Sequence, residues 1–154
     1  MPNSHSAQHI NQFLVVDDQR SVRALVSALL AVFEAEITEA ENGEEALRLI
    51  KEQQFDVIFL DINMPGISGL EVCERVRKEL GFDNLPIVIM TSLESRDLIE
   101  KSFDAGATDY INKTYIQYEI VPRTRAILDR RFSERELYLV KSWRIAPRVI
   151  FLPT

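Results

Sequence analysis

Five short runs of strand-like sequence recur between residues 12 and 112, and a segment of helical periodicity follows each. The runs are Gln12–Val16, Glu36–Ala40, residues 57–60, residues 87–90 and Asp109–Asn112. Helical segments cover residues 19–33, 44–52, 68–79 and 95–105, and a fifth begins near Gln117. In the first of them Val22, Leu25, Val26, Leu29, Leu30 and Phe33 share one broad apolar face. In the third, Leu70, Cys73, Val76 and Leu80 do so, and Gly106 closes the fourth as a left-handed cap. Alternating strands and helices of these lengths predict a parallel sheet covered by helices on both faces. Right-handed crossovers make this a doubly wound three-layer α/β sandwich.

In such a sheet the functional crevice lies at the carboxyl ends of the strands, so the residues after each run carry the information. The first run ends in Asp17-Asp18, the third in Asp61, the fourth in Thr91-Ser92 and the fifth in Lys113. Three carboxylates, a hydroxyl and an ammonium are thus expected on one edge. Clustered carboxylates repel one another and raise each other's pKa unless a cation is present. Hard oxygen ligands with spare coordination positions suit Mg²⁺. One carboxylate can then act as a nucleophile toward phosphorus, with the metal and Lys113 offsetting charge and Thr91 donating a hydrogen bond.

With these residues in view, the chain resembles the receiver domain of bacterial two-component response regulators. The resemblance rests on VVDD (residues 15–18), FLDINMPGISGLEV (59–72), IVIMTS (87–92) and DAGATDYINK (104–113), and spans about residues 12–130. It implies a flavodoxin-like five-stranded sheet of order 2-1-3-4-5. It implies that Asp61 is the phosphoacceptor for a kinase phosphohistidine. Asp18 corresponds to the direct Mg²⁺ ligand, Asp17 to the acid that holds the ion through water, and Asn63 to the position whose backbone carbonyl completes the ligands. Thr91 and Lys113 correspond to the pair that grips the phosphoryl group, and Tyr110 to the aromatic switch. The implied partners are a sensor histidine kinase or histidine phosphotransfer protein, a downstream protein target, and a second copy of the chain. One departure stands out: Lys113 is followed by Thr114, where most receivers carry proline. A trans bond is expected there, because a non-proline cis bond costs about 2.5–4 kcal/mol.

Bulk properties narrow the remaining choices. A chain of 154 residues suits one compact domain with an appendage. We expect a flexible leader over residues 1–11, a receiver over 12–131 and an extension over 132–154. The leader contains His5 and His9, four apart; its Asn, Ser and Gln surroundings favour disorder over a metal-binding helix. Cys73, the single cysteine, excludes an intramolecular disulfide and reads as a small core residue. No apolar run approaches the ~18 residues of a membrane span, and no signal peptide opens the chain. Cytoplasm is the expected location.

The net charge of −6 is divided unevenly. Residues 1–120 carry 10 Lys/Arg against 21 Asp/Glu, whereas residues 121–154 carry 8 against 3. An acidic body argues against nucleic acid as its partner; the basic tail either meets an acidic partner or folds back on the body. Pro122 is expected in the first turn of the fifth helix or as a mild kink. Ser133 with Glu136 fits a capping box, so a new helix can start there, or the fifth helix can continue. Pro147 ends any helix, and Val149-Ile-Phe-Leu152 needs burial.

The expected activity is that of a signalling switch, not an enzyme. Two alternatives remain: the input domain of a longer regulator such as a diguanylate cyclase, or a degenerate receiver used as a binding scaffold. A flavodoxin is disfavoured because Asp17-Asp18 repels a phosphate. A haloacid-dehalogenase-type phosphatase would place an acid two residues past its nucleophile, where this chain has Gln19.

Overall fold

The protein is described by a computed structural model covering residues 8–92 and 95–145, with only the backbone of 140–145 considered. Its elements run β1 (Gln12–Val16), α1 (Arg20–Leu30), β2 (Glu36–Ala40), α2 (Gly43–Glu52), β3 (Val57–Asp61), α3 (Gly69–Lys78), β4 (Ile87–Thr91), α4 (Arg96–Asp104), β5 (Asp109–Asn112) and α5 (Ile116–Ile145). One-turn 3₁₀ helices follow α1, at Ala31–Phe33, and precede α5, at Lys113–Tyr115. The strands form a single parallel sheet in the order β2-β1-β3-β4-β5, the expected doubly wound arrangement.

Side-chain alternation along the strands feeds two separate cores. Leu14, Val16, Ile58, Leu60, Ile87 and Ile89 pack with Ala46, Leu47 and Ile50 of α2 and Val72, Cys73 and Val76 of α3. On the other face, Phe13, Val15, Val57, Phe59, Val88 and Met90 meet Val26 and Leu30 of α1 and Ile116, Ile120 and Ile127 of α5. β3 is buried along its whole length because it lies at the centre and feeds both layers. Phe13 anchors the second core through edge-to-face contacts with Phe33 and Phe59. The apolar face of α1 is narrower than its periodicity suggests, since Leu25 is 46% exposed.

Local chemistry explains the helix boundaries. Asn42, Ser68 and Ser95 each accept a hydrogen bond from the backbone N–H three residues on, capping α2, α3 and α4. Gly106 ends α4 at φ 105°, as expected, and Ala107 N–H bonds back to the Ser102 carbonyl. A side chain at Gly106 would collide with Arg77, which crosses there to donate to the Gly106 and Phe82 carbonyls.

α5 is continuous for 30 residues and passes through Ser133, so the capping box there starts no new helix. Pro122 lies in its second turn, past the first of the two placements expected for it; both it and Tyr118, four residues before it, are exposed, and proline supplies no N–H to the Tyr118 carbonyl. Arginines of α5 do fold back on the acidic body. Arg123 pairs with Asp109 at 3.0 Å and Arg131 donates to the Asp56 carbonyl at 2.7 Å. Pro147 and the run Val149–Leu152 lie outside the described residues, as does His5. His9 is described, and its Nε2 lies 3.0 Å from both carboxylate oxygens of Asp56, so it is held in a side-chain pair.

Candidate functional site

Strand register assembles the site. Val16 pairs with Leu60, so Asp17 and Asp61 emerge side by side from β1 and β3. Asp61 pairs with Met90, placing Thr91 one step beyond it on β4. Thr91 pairs with Asn112, and Lys113 follows directly after β5. Residues separated by up to 96 positions therefore meet at the carboxyl edge of the sheet because parallel pairing aligns the strand ends.

Oxygens of Asp17, Asp18 and Asp61 lie within 4.8 Å of one another. Asp17 is fully buried, Asp61 is 4% exposed and Asp18 faces solvent. Lys113 places its ammonium 2.7 Å from Asp17 Oδ2 and 3.0 Å from Asp61 Oδ1. Burial, reinforced by the charge of Asp17, raises the pKa of Asp61 despite that contact. Burial acts to lower the pKa of Lys113, but its hydrogen bonds to Asp17 and Asp61 outweigh this and raise it. One ammonium contacts two of the three clustered carboxylates, so the site keeps surplus negative charge. An all-oxygen donor set with one ligand open to water suits a hard, partly hydrated divalent cation.

The loops around the acids are built for close approach. Gly69, at the start of α3, sits so near the Asp61 carbonyl that any β-carbon would overlap it. Its N–H donates to the Ile62 carbonyl at 2.9 Å, closing the turn that contains Asn63. Asn63 is exposed in that turn, two residues past Asp61. Thr91 is buried at the end of β4. Tyr110 is half-buried on β5 and packs against the core shared by α2, α3 and α4.

The Lys113-Thr114 departure has a local rationale. No cis peptide bond occurs among the described residues, and Thr114 N–H donates to Asn112 Oδ1 at 2.9 Å. Proline has no N–H and would forgo this cap. The sequence reading passed over Asn112, Gly69 and Arg23. Asn112 is legible afterwards as a cap before a turn. Gly69 is legible only as a glycine at a helix start. Arg23 falls on a helix between Val22 and Ala24-Leu25-Val26, where a charged residue reads as a solvent-facing position, yet its guanidinium is buried and donates to the Asp17 carbonyl at 2.8 Å. Cys73 belongs to the core; burial pushes its thiol up to about 11, which makes it a poor nucleophile.

Comparison with known proteins agrees with this geometry. The family model for the response regulator receiver domain matches residues 13–125. The transcriptional regulatory protein ResD of Bacillus subtilis is 38% identical over 127 residues, covering 82% of this chain and 51% of ResD. The response regulator MprA of Mycolicibacterium vanbaalenii is 39% identical over 119 residues, covering 77% and 51%. The chain thus spans about half the length of these curated relatives. Among solved structures, chemotaxis protein CheY4 of Vibrio cholerae superposes with a TM-score of 0.72 at 29% identity, covering 77% of this chain and 99% of CheY4. Response regulator TrrA of Thermotoga maritima, solved in complex with Mg²⁺ and BeF, gives 0.69 at 34% identity, with coverages of 77% and 99%.

Proposed function

Because this chain belongs to the response regulator receiver domain family, we propose that Asp61 accepts a phosphoryl group and that the modified edge of the sheet switches a binding surface. The donor is a phosphohistidine on a sensor histidine kinase or a histidine phosphotransfer protein. A carboxylate oxygen of Asp61 attacks the phosphorus, the P–N bond breaks, and the imidazole leaves with the electron pair and takes up a proton. The product is an aspartyl phosphate. Asp17, Asp18, Asp61 and the Asn63 carbonyl would hold Mg²⁺, which supplies charge neutralisation for the phosphoryl oxygens when bound.

The chain's own groups do the rest. Lys113, bridging Asp17 and Asp61 beforehand, gives up Asp17 Oδ2 to pair with a phosphoryl oxygen. The Thr91 hydroxyl donates to another. Phosphorylation adds roughly 1.5–2 negative charges at the site, which draws both residues inward and lets Tyr110 follow. The surface formed by α4, β5 and α5 changes as a result, and a downstream protein or a second copy reads the change. The observation that carries this reading is the trio of carboxylates within 4.8 Å of one another, two of which share one lysine.

The test is incubation with acetyl phosphate and Mg²⁺, followed by intact mass. Wild type gains one phosphoryl group and Asp61→Ala gains none. A wild type without added mass, or an Asp61→Ala variant that gains as much, overturns the proposal.

The boundary between a body over residues 12–131 and an extension over 132–154 belongs to the same proposal. α5 runs past residue 125, where the family match ends, to Ile145. With the chain spanning half of its relatives, this favours a second reading as the input domain of a longer regulator, with α5 carrying the signal onward.

A further inference from the structure

The loop that carries two of the three acids is held differently from its counterparts. α2, α3 and α4 each start with a capping side chain, but Gln19, at the start of α1, makes no such bond. In its place, Asp17 Oδ1 accepts the Gln19 N–H at 2.9 Å, and Arg23, one turn into α1, reaches back to the Asp17 carbonyl. The Arg23 side chain is only 8% exposed, and two acids of the neighbouring strand end orient it. Nε lies 3.2 Å from Glu39 and Nη2 3.8 Å from Glu41.

Every polar group of Asp17 is therefore engaged. Its N–H donates to the Ala40 carbonyl at 3.2 Å, its carbonyl accepts from Arg23, and its carboxylate meets Gln19 N–H and Lys113. Of the two cationic contacts, the one from Lys113 falls on the carboxylate that a metal would need, whereas Arg23 contacts only the backbone. Arg23 can stay in place when the carboxylate exchanges partners.

We infer that Arg23 is a positioning residue for the cation site: it pins the Asp17-Asp18 loop through the Asp17 carbonyl, its own charge being paired with Glu39 and Glu41. This rests on the reading of the site as a Mg²⁺ and phosphoryl site. A guanidinium suits the role because its donors form a rigid fork, one branch on the Asp17 carbonyl and another on Glu39. Lysine keeps the charge but offers a single flexible point. Partners that orient metal ligands influence affinity without touching the ion.

The experiment is calorimetric titration with Mg²⁺ of wild type, Arg23→Met, Arg23→Lys and, as a control, Val76→Ala, with Tm measured in chelator. Val76 lies fully buried in the opposite core, so its truncation lowers stability without approaching the loop. Arg23→Met is expected to raise the Kd for Mg²⁺ by about tenfold, Arg23→Lys by less, and Val76→Ala not at all despite a lower Tm. An Arg23→Met protein with the wild-type Kd overturns the inference, as does a Val76→Ala protein whose Kd rises equally. If Arg23→Met does not fold, Arg23→Lys decides: a raised Kd supports the role and an unchanged one overturns it. A wild type that binds no Mg²⁺ instead brings down the site reading beneath the inference.

Discussion

The two ends of β3 carry buried aspartates with opposite surroundings. Asp56, just before the strand, accepts the Gln12 N–H at 2.7 Å and His9 at 3.0 Å, and Arg131 lies 3.7 Å away. Asp61, the last residue of the strand, shares a single lysine with Asp17 and stands close to Asp18. Both are nearly inaccessible, at 6% and 4% exposure, so burial does not separate them. The balance of charge does. Asp56 is held by a backbone N–H, an imidazole and a guanidinium from three parts of the chain and acts as a structural tie. Asp61 lies in a site with more negative charge than its neighbours can offset, and such a site calls for an added cation.

Three measurements can break or sharpen this contrast. The largest effect is expected for Asp56→Ala, which leaves the Gln12 N–H without its acceptor and removes the carboxylate beside His9 and Arg131, while Arg131 keeps its bond to the carbonyl of residue 56. It should cost about 2 kcal/mol, since an orphaned buried donor loses its full solvation. For a chain of this length that is a fall in Tm of roughly 4–8 °C. Mg²⁺ affinity should stay at the wild-type value. A change in affinity with no loss of Tm would place Asp56 on the functional side of the comparison.

Asp61→Asn should act in the opposite direction. Folding raises the pKa of Asp61, so the folded state binds more protons than the unfolded one, and the charged form costs stability. That cost is absent below the ordinary carboxylate range and grows as pH rises through it toward the raised folded value. At neutral pH, in chelator, Asp61→Asn is expected to gain about 1 kcal/mol, or 2–4 °C in Tm. The gain should fade as pH falls below ordinary carboxylate values. Thermal melts across pH check this, and an Asp61→Asn protein less stable than wild type at neutral pH would show that Lys113 already balances the site.

The smallest effect belongs to His9→Ala. The His9 side chain is 58% exposed, so its pair with Asp56 is screened and should contribute roughly 0.5 kcal/mol. Urea denaturation with an unchanged m-value would confirm a purely local contact. A loss as large as that of Asp56→Ala would make His9 the principal partner of that carboxylate.

Much of this architecture was legible in the chain. The strand-like runs mark all five strands to within a residue, and β1, β3 and β4 are the strongly apolar ones because a central parallel strand is buried on both faces. The left-handed turn at Gly106 follows from short-range chemistry. Asp17, Asp18, Asp61, Thr91 and Lys113 could be read as one set because each stands at the end of a strand-like run, and parallel strands end on the same edge. Other features were hidden. Leu25 fits a helical period yet remains exposed, since periodicity says nothing of how wide a stripe the neighbouring layers cover. His9 and Arg131 meet Asp56 across 47 and 75 positions of sequence, and no local pattern encodes such pairings.

The sequence by itself therefore determined the strands, their parallel arrangement and the edge on which the acids gather, consequences of local propensity and hydrophobic period, while the strand order followed from the family resemblance. Only the tertiary structure decided which charges are neutralised. It gave Asp56 a full set of partners, left Lys113 divided between Asp17 and Asp61, and buried Arg23 against the Asp17 carbonyl. Charge balance in a buried site is set by whatever the crossovers bring within a few ångströms, and for this chain those neighbours come from distant segments.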